Sequence, residues 1–262
     1  MKKITVSKAI GEALHEEMLR DDKVFIMGED MAVMGNVFAI TKGFLEEFGP
    51  KRVIDTPISE EGFVGMAVGA AMRGMRPVVE LMYDDFATEC ADPLFNQAAK
   101  IRYMTGGQCH VPMVLRAPMG AGRRNAGQHS QSLENFFCHF PGLKVVAPCT
   151  AQDAKGLLKS AIRDDDPVIF LEHKLLYAHK EQIPEEEYTI PLGQADIKRE
   201  GKDITIITWS REVNFSLEAA KTLAEQGIDA EVLDLRTLVP LDWDAIVQSV
   251  SKTHNAIIVS EE

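Results

Sequence analysis

Two residues stand where acid–base chemistry could be done. Glu60 lies in DTPISEEGFVGMAVGAAMRG, Asp55 to Gly74. A short apolar strand, Val53-Ile54, leads into this stretch, and Pro57 keeps Thr56 out of helical geometry. Ser59 occupies a helix N-cap position, with Glu60 and Glu61 in the first turn, where the helix dipole favours negative charge. A carboxylate there is either a solvated dipole partner or, in a cleft, a group that shares a proton with a ligand. The Gly and Ala residues that follow are poor helix material and predict close approach of another backbone or a flat ligand. His129 lies in QHSQS, directly after the glycine-rich GAGRRNAG. An imidazole on such a loop can give a proton near neutral pH, or it can be a histidine bonded to backbone.

Weaker candidates surround these. Arg123 and Arg124 in the glycine-rich loop could meet an anion or be solvated. Met82 and Phe86 bracket a strand end and are core or ligand wall. Asp164, Asp165 and Asp166 precede Pro167, as a solvated turn or an oxygen-lined cation site.

The elements that must position them alternate between strand and helix. Ile10, Ala13, Leu14 and Met18 recur at helical spacing, with Thr5 or Ser7 as the cap. Strands are expected at Val24 to Asp30, Val53-Ile54, Pro77 to Met82, His110 to Pro118, LKVVAP and PVIFLEH. Helices are expected in ITKGFLEEFGP, from Asp84 with an interruption at Pro93, and in AQDAKGLLKSAIRD. This alternation predicts a doubly wound α/β fold with a mainly parallel sheet. The charged, Pro-containing stretch 181–200 predicts a linker between domains 1–180 and 201–262. The second domain shows only three strands and two helices and is expected to be incomplete.

Size and charge narrow the class. The 262 residues suffice for two domains, and the net charge of −12 argues against general nucleic-acid binding. No apolar run is long enough for a membrane span, and the start lacks a signal-peptide core. Four scattered cysteines predict reduced thiols in a cytoplasmic protein. Absent are a P-loop, a G-x-S-x-G elbow, an H-E-x-x-H pair and the G-D-G segment that holds a magnesium-bound diphosphate.

Together, DTPISEEGFVGMAVGAAMRGMRPVVELM, QHSQS, PGLKVVAP, DAKGLLKSAIRDDDPV and EVLDLRTLVPLD resemble the β subunit of the E1 component of 2-oxo acid dehydrogenase complexes. The resemblance runs nearly end to end. It covers pyruvate, branched-chain 2-oxo acid and acetoin dehydrogenases, which are transketolase-like and use thiamine diphosphate. ELMYDDF and YTIPLGQADIKREGKD look closest to the acetoin group.

The resemblance implies decarboxylation of a 2-oxo acid, or cleavage of acetoin, with transfer of the acyl group to a lipoyl domain. It implies an α2β2 tetramer whose α subunit supplies the Mg²⁺ and diphosphate site, a second β subunit, and an E2 acyltransferase as partner. Residues to about 180 would be the pyrimidine-binding domain and the remainder a transketolase C-terminal domain. Glu60 matches the glutamate that bonds N1′ of the cofactor's aminopyrimidine, and Ile58, Met82 and Phe86 match the apolar wall around it. His129 matches the histidine that meets intermediates and the lipoyl acceptor. Met113, Ala161, Ile162, Asp164 and Asp166 match a potassium-holding loop. Relatives continue past the strand ending at Val259, which leaves the C-terminal face in question. The alternatives are a portion of a transketolase or deoxyxylulose-phosphate synthase, or a non-catalytic assembly subunit.

Overall fold

The computed structural model describes residues 1–261. The chain runs β1 (Lys2–Thr5), α1 (Val6–Arg20), β2 (Val24–Gly28), α2 (Phe44–Phe48), β3 (Val53–Asp55), α3 (Glu60–Met72) and β4 (Arg76–Glu80). There follow α4 (Ile101–Met104), β5 (Val114–Met119), α5 (Glu134–Cys138), β6 (Lys144–Val146), α6 (Ala151–Arg163), β7 (Val168–His173) and β8 (Lys180–Ile183). The last part comprises β9 (Asp196–Arg199), β10 (Ile204–Thr208), α7 (Glu212–Glu225), β11 (Ala230–Asp234), β12 (Thr237–Val239), α8 (Trp243–Thr253) and β13 (Ala256–Val259).

Seven strands form the main sheet in the order β12-β6-β7-β5-β4-β2-β3, all parallel except β12. The residues explain the two-sided cover. In β2, Val24 and Ile26 enter one apolar cluster and Phe25 and Met27 the other. Apolar groups on both faces of a strand are what a parallel sheet between helical layers requires. One layer is α1 against α6. Thr5 caps α1 by accepting the Lys8 N–H at 3.2 Å, and Thr150 caps α6 by accepting the Asp153 N–H at 3.0 Å. The other layer includes α3 and the segment Asp92–Ala98.

Several expectations need correction. The helix expected from Asp84 is a 3-10 turn, Asp84–Thr88, followed by a π-helical segment, Asp92–Ala98, with Pro93 in its first turn. The strand expected from His110 starts at Val114. The stretch 181–200 is not a bare linker, because β8 pairs antiparallel with β1 and β9 pairs antiparallel with β11. The C-terminal sheet therefore has four strands, in the order β13-β10-β11-β9. Moreover, β12 leaves the C-terminal part and lies antiparallel to β6, as an edge of the main sheet.

A buried ion knot ties these parts together. Asp153, in the first turn of α6, meets Lys198 of β9 and Arg236, each at 2.7 Å. The four cysteines are free thiols. Among the described residues no helix is long and apolar enough to cross a membrane.

Candidate active site

The four strands β5, β4, β2 and β3 are neighbours in the sheet, and each releases a candidate residue at its carboxyl end. Glu29 follows β2, Ile58 and Glu60 follow β3, Met82 and Phe86 follow β4, and His129 lies on the loop after β5. From β2 the chain passes to one side of the sheet, and from β4 to the other. Such a reversal opens a crevice beyond the strand ends. Here it is a cleft of about 570 Å³ lined by Glu29, Ile58, Glu60, Met82, Phe86 and His129, among others. A second hollow of about 530 Å³ shares Phe86, Glu89 and His129 with it and continues past Asp85 and Gln131.

Short-range chemistry places Glu60. Asp55 at the end of β3 accepts the Ala32 N–H at 2.6 Å, and the Thr56 N–H donates to the Gly28 carbonyl at 3.0 Å. The chain then turns at Pro57 and starts α3 on Glu60. Ser59 sits at the cap position, but its side chain makes no capping bond. Phe63, Val64, Ala67, Val68 and Ala71 bury the inner face of α3. The predicted backbone approach to its glycines is not seen within the chain: a Cβ on Gly65 would only touch Pro93 at 3.7 Å, and Gly69 faces open space. Ile58 is 83% exposed and projects at the mouth of the cleft.

The loop from Gly120 to Gln131 closes on itself, the Gly120 N–H donating to the Gln131 carbonyl at 2.8 Å. Gly120 adopts φ +96° with His173 packed against its Cα, so a side chain fits there neither conformationally nor sterically. His129 packs its ring against Tyr83 at 4.4 Å and Phe86 at 5.3 Å between centroids. No described residue hydrogen-bonds its ring nitrogens, so the alternative of a backbone-bonded histidine is not what the fold builds. Arg123 lies over the Phe38 ring at 5.3 Å, and Arg124 is exposed.

Two groups escaped the sequence reading. Glu29 is only 7% exposed, and its Oε1 has no hydrogen-bond partner. Burial first, then the charges of Glu60 and Asp30, push its carboxyl up to about 7. The signal available was GED closing an apolar strand. Tyr83 is the other: it is buried, and its ring contacts both His129 and the Lys174 ammonium, which lies 5.0 Å from the ring centre.

The potassium expectation meets a different arrangement. The Met113 carbonyl accepts the Val168 N–H at 2.9 Å, and the Ala161 carbonyl accepts the Asp164 N–H at 3.3 Å. Arg76 donates to the carbonyls of Ile162 (3.1 Å) and Asp164 (2.8 Å). Lys144 holds the Asp164 carboxylate at 2.6 Å and Asp166 at 3.3 Å. Each of these oxygens thus meets a protein donor or cation, and the carbonyls keep a second lone pair. Among the described residues no group of three His, Cys, Asp or Glu could hold a metal ion.

Comparison with known proteins covers nearly the whole chain. Residues 2–180 match the family described as transketolase, pyrimidine binding domain, and residues 193–262 match transketolase, C-terminal domain. The pyruvate dehydrogenase E1 component subunit beta of Rickettsia felis is 54% identical over 98% of this chain and 79% of its own length. The acetoin:2,6-dichlorophenolindophenol oxidoreductase subunit beta of Cupriavidus necator is 50% identical over 99% of this chain and 80% of its own. The 2-oxoisovalerate dehydrogenase subunit beta of Bacillus subtilis is 49% identical over 97% and 78%. A solved structure titled split gene transketolase, inactive beta4 tetramer, aligns with a TM-score of 0.82 over 99% of this chain and 80% of that one. At 22% identity that likeness speaks for the fold alone.

Proposed function

Because the chain belongs to the β subunits of the E1 components of 2-oxo acid and acetoin dehydrogenase complexes, we propose that its cleft holds the pyrimidine end of thiamine diphosphate. The subunit acts with an α subunit to decarboxylate a 2-oxo acid, or cleave acetoin, and to pass the acyl group to a lipoyl domain. In this reading residues 1–180 form the pyrimidine-binding domain and 201–262 the C-terminal domain, joined through 181–200. An α2β2 assembly with a second β subunit, an E2 acyltransferase partner and a cytoplasmic setting belong to the same proposal.

The observation that carries it is the polarity of the cleft. Its lining includes Glu29, Glu60, Glu61 and Glu89 beside apolar Ile58, Met82 and Phe86, with no Lys or Arg. A flat, weakly basic ring suits that mixture. A diphosphate does not, since a wall of acids without Lys or Arg offers it no countercharge. The Mg²⁺ and diphosphate half is therefore assigned to the α subunit. Potassium at Met113, Ala161, Ile162, Asp164 and Asp166 belongs to the same proposal, since a carbonyl that accepts one protein hydrogen bond keeps a second lone pair.

When bound, thiamine diphosphate supplies a carbon acid whose deprotonation gives the nucleophile of the reaction. The residues of this chain do the rest. Glu60 holds a proton at N1′ of the pyrimidine, a role that requires a carboxyl able to share it with a weak base. Glu29, raised to about 7, keeps a second proton available beside Glu60 near neutral pH. Ile58, Met82 and Phe86 flank the ring and exclude water. His129, past Phe86, donates a proton where the acyl acceptor arrives.

Glu60→Gln tests this reading. It keeps the shape and loses the exchangeable carboxyl, so turnover of the reconstituted tetramer should fall roughly 10²–10⁴-fold. Exchange of the bound cofactor's C2 proton should slow with it. Wild-type exchange in the variant would remove Glu60 from the mechanism. On the purified β chain alone, calorimetry should detect weak or no thiamine diphosphate binding, and tight Mg²⁺-dependent binding would sink the two-chain division.

A further inference from the structure

Directly behind His129 lie two consecutive acids that the reading above does not use. Asp84 is fully buried and Asp85 is 6% exposed, both in the 3-10 turn that follows β4. Each grips the strap that follows the His129 loop. Asp84 Oδ2 accepts the Leu133 N–H at 3.0 Å. Asp85 Oδ1 accepts the Gln131 N–H at 3.3 Å and the Gln131 side-chain amide at 2.8 Å. Gln131 in turn closes the loop through its carbonyl on Gly120. The backbone just beyond His129 is thus held by these carboxyls, and the His129 ring packs against Tyr83 and Phe86.

The remaining oxygens are the telling feature. Asp84 Oδ1 and Asp85 Oδ2 are both buried and both without a hydrogen-bond partner. Two ionised carboxylates side by side in such a place would repel each other, and each bare oxygen would be desolvated without a compensating bond. A proton shared between them removes both costs, and a hydrogen bond between the two side chains is within reach. Glu89 and His129 line the same hollow as Asp85, and Lys174 acts on both acids. The Lys174 ammonium, 3% exposed and without a hydrogen bond to any described residue, is attracted by both acids. Arg123 and Glu261 act on Lys174 with opposite signs. The Tyr83 ring contacts both Lys174 and His129.

We propose that Asp84 and Asp85 form a carboxylic acid–carboxylate pair that fixes the strap Gln131–Leu133, and through it positions His129 for acyl transfer. Asp84 is the protonated member. It gives its proton to Asp85 as a hydrogen bond and still accepts the Leu133 N–H. Burial, opposed by the Leu133 N–H and reinforced by Asp85, pushes Asp84 up to about 8. The pair is therefore intact at pH 7. It gains a second negative charge as the pH rises through that value, which loosens the strap. The proposal rests on the reading of His129 as the acyl-transfer residue.

The experiment uses the reconstituted tetramer with Asp84→Asn and Asp84→Leu. Two reactions are followed between about pH 6 and pH 9.5: substrate turnover with an artificial electron acceptor, and reductive acylation of a lipoyl domain. Infrared difference spectra of wild type against Asp84→Asn report the protonation state directly. A protonated-carboxyl band should be present at pH 7 and vanish as the pH passes about 8.

Asn cannot ionise, but its amide still donates to Asp85 and its oxygen still accepts from Leu133. Asp84→Asn should keep acylation at pH 7 within about threefold of wild type and abolish the fall in acylation on the alkaline side. Asp84→Leu should slow acylation at pH 7 roughly tenfold or more, part of the 10²–10⁴ attached to a positioned acid–base group, with turnover to the artificial acceptor much less affected. If Asp84→Leu does not fold, the band and the pH profile of Asp84→Asn decide alone. Absence of the band overturns the shared proton. An alkaline fall unchanged in Asp84→Asn overturns the positioning role. A His129→Ala variant that slows both reactions equally would sink the reading of His129 instead, and the band would still stand for the pair.

Discussion

Two clusters of acids, one buried within the main sheet and one in the cleft beyond its strand ends, are treated oppositely. Around Arg116, which is fully buried, every charge has a partner. Its guanidinium meets Glu80 at 2.6 Å and Glu172 at 2.7 Å and 2.8 Å, Asn36 donates to Glu80, and Tyr177 donates to Glu172. Burial pushes against its charge, but Glu172 and Glu80 outweigh that and hold the guanidinium protonated. Around Glu29 and Glu60 no cation lines the cleft, and the Glu29 Oε1 has no partner. A satisfied buried network specifies a structure, whereas unpaired acids in a concave site are costly to the fold and available to a ligand.

Arg116→Ala should break that comparison most violently. It leaves Glu80 and Glu172 facing each other in a dry sheet. Breaking such a pair costs about 3–5 kcal/mol, a large part of a domain's total stability. The urea midpoint should drop sharply, or no folded β chain should be recovered. A midpoint close to wild type would mean that the paired cluster is not structural, and the contrast with the cleft would lose its meaning.

His129→Ala comes next in size and probes the unpaired side. The ring packs on Tyr83 and Phe86 and hydrogen-bonds no described residue, so its loss should leave the fold and the exchange of the bound cofactor's C2 proton near wild type. Acylation of a lipoyl domain should slow roughly 10²–10⁴-fold. An equal slowing of turnover to an artificial acceptor would turn His129 into a general binding or folding residue. No change in either would make it an ordinary packed histidine.

The two regions also differ in how far the sequence revealed them. The parallel core was readable because VFIMG and PVIFLEH carry apolar residues on both faces. Glu60 was readable because a Pro-interrupted strand end and an acidic first turn are local signals. The gathering of Glu60, Met82, Phe86 and His129 was not, since it depends on strand order, which no local pattern encodes. Glu29 was hidden for the same reason: GED at a strand end says nothing of the Glu60 charge brought beside it from β3. The short β9 and β12 escaped because three or four residues without alternation fall below what periodicity can register. The oxygens of the loop Asp164–Asp166 looked open in sequence because Arg76 and Lys144, which hold them, come from distant elements.

The smallest effect sharpens the comparison from inside the cleft. If Glu29 is held unpaired at the expense of the fold, neutralising it should stabilise the chain, and only where the wild-type residue is charged. Its folded value, about 7, lies above the ordinary 4.5 of an unfolded glutamate. Below pH 4.5 both states are protonated, and Glu29 is neutral in stability. As the pH rises, the unfolded chain releases the proton first, so the folded state loses ground until the pH passes about 7. Above that the full cost is present and constant. Glu29→Gln removes the ionisation and keeps the volume. Its melting temperature should therefore match wild type near pH 4.5 and exceed it at pH 8. The gain should be on the order of 2–4 °C, the shift that about 1 kcal/mol gives a chain of this size. Scanning calorimetry at the two pH values measures it. An equal gain at both would assign the effect to packing. A loss at pH 8 would mean that the Glu29 carboxylate has a stabilising partner after all, and the two clusters would no longer be opposites.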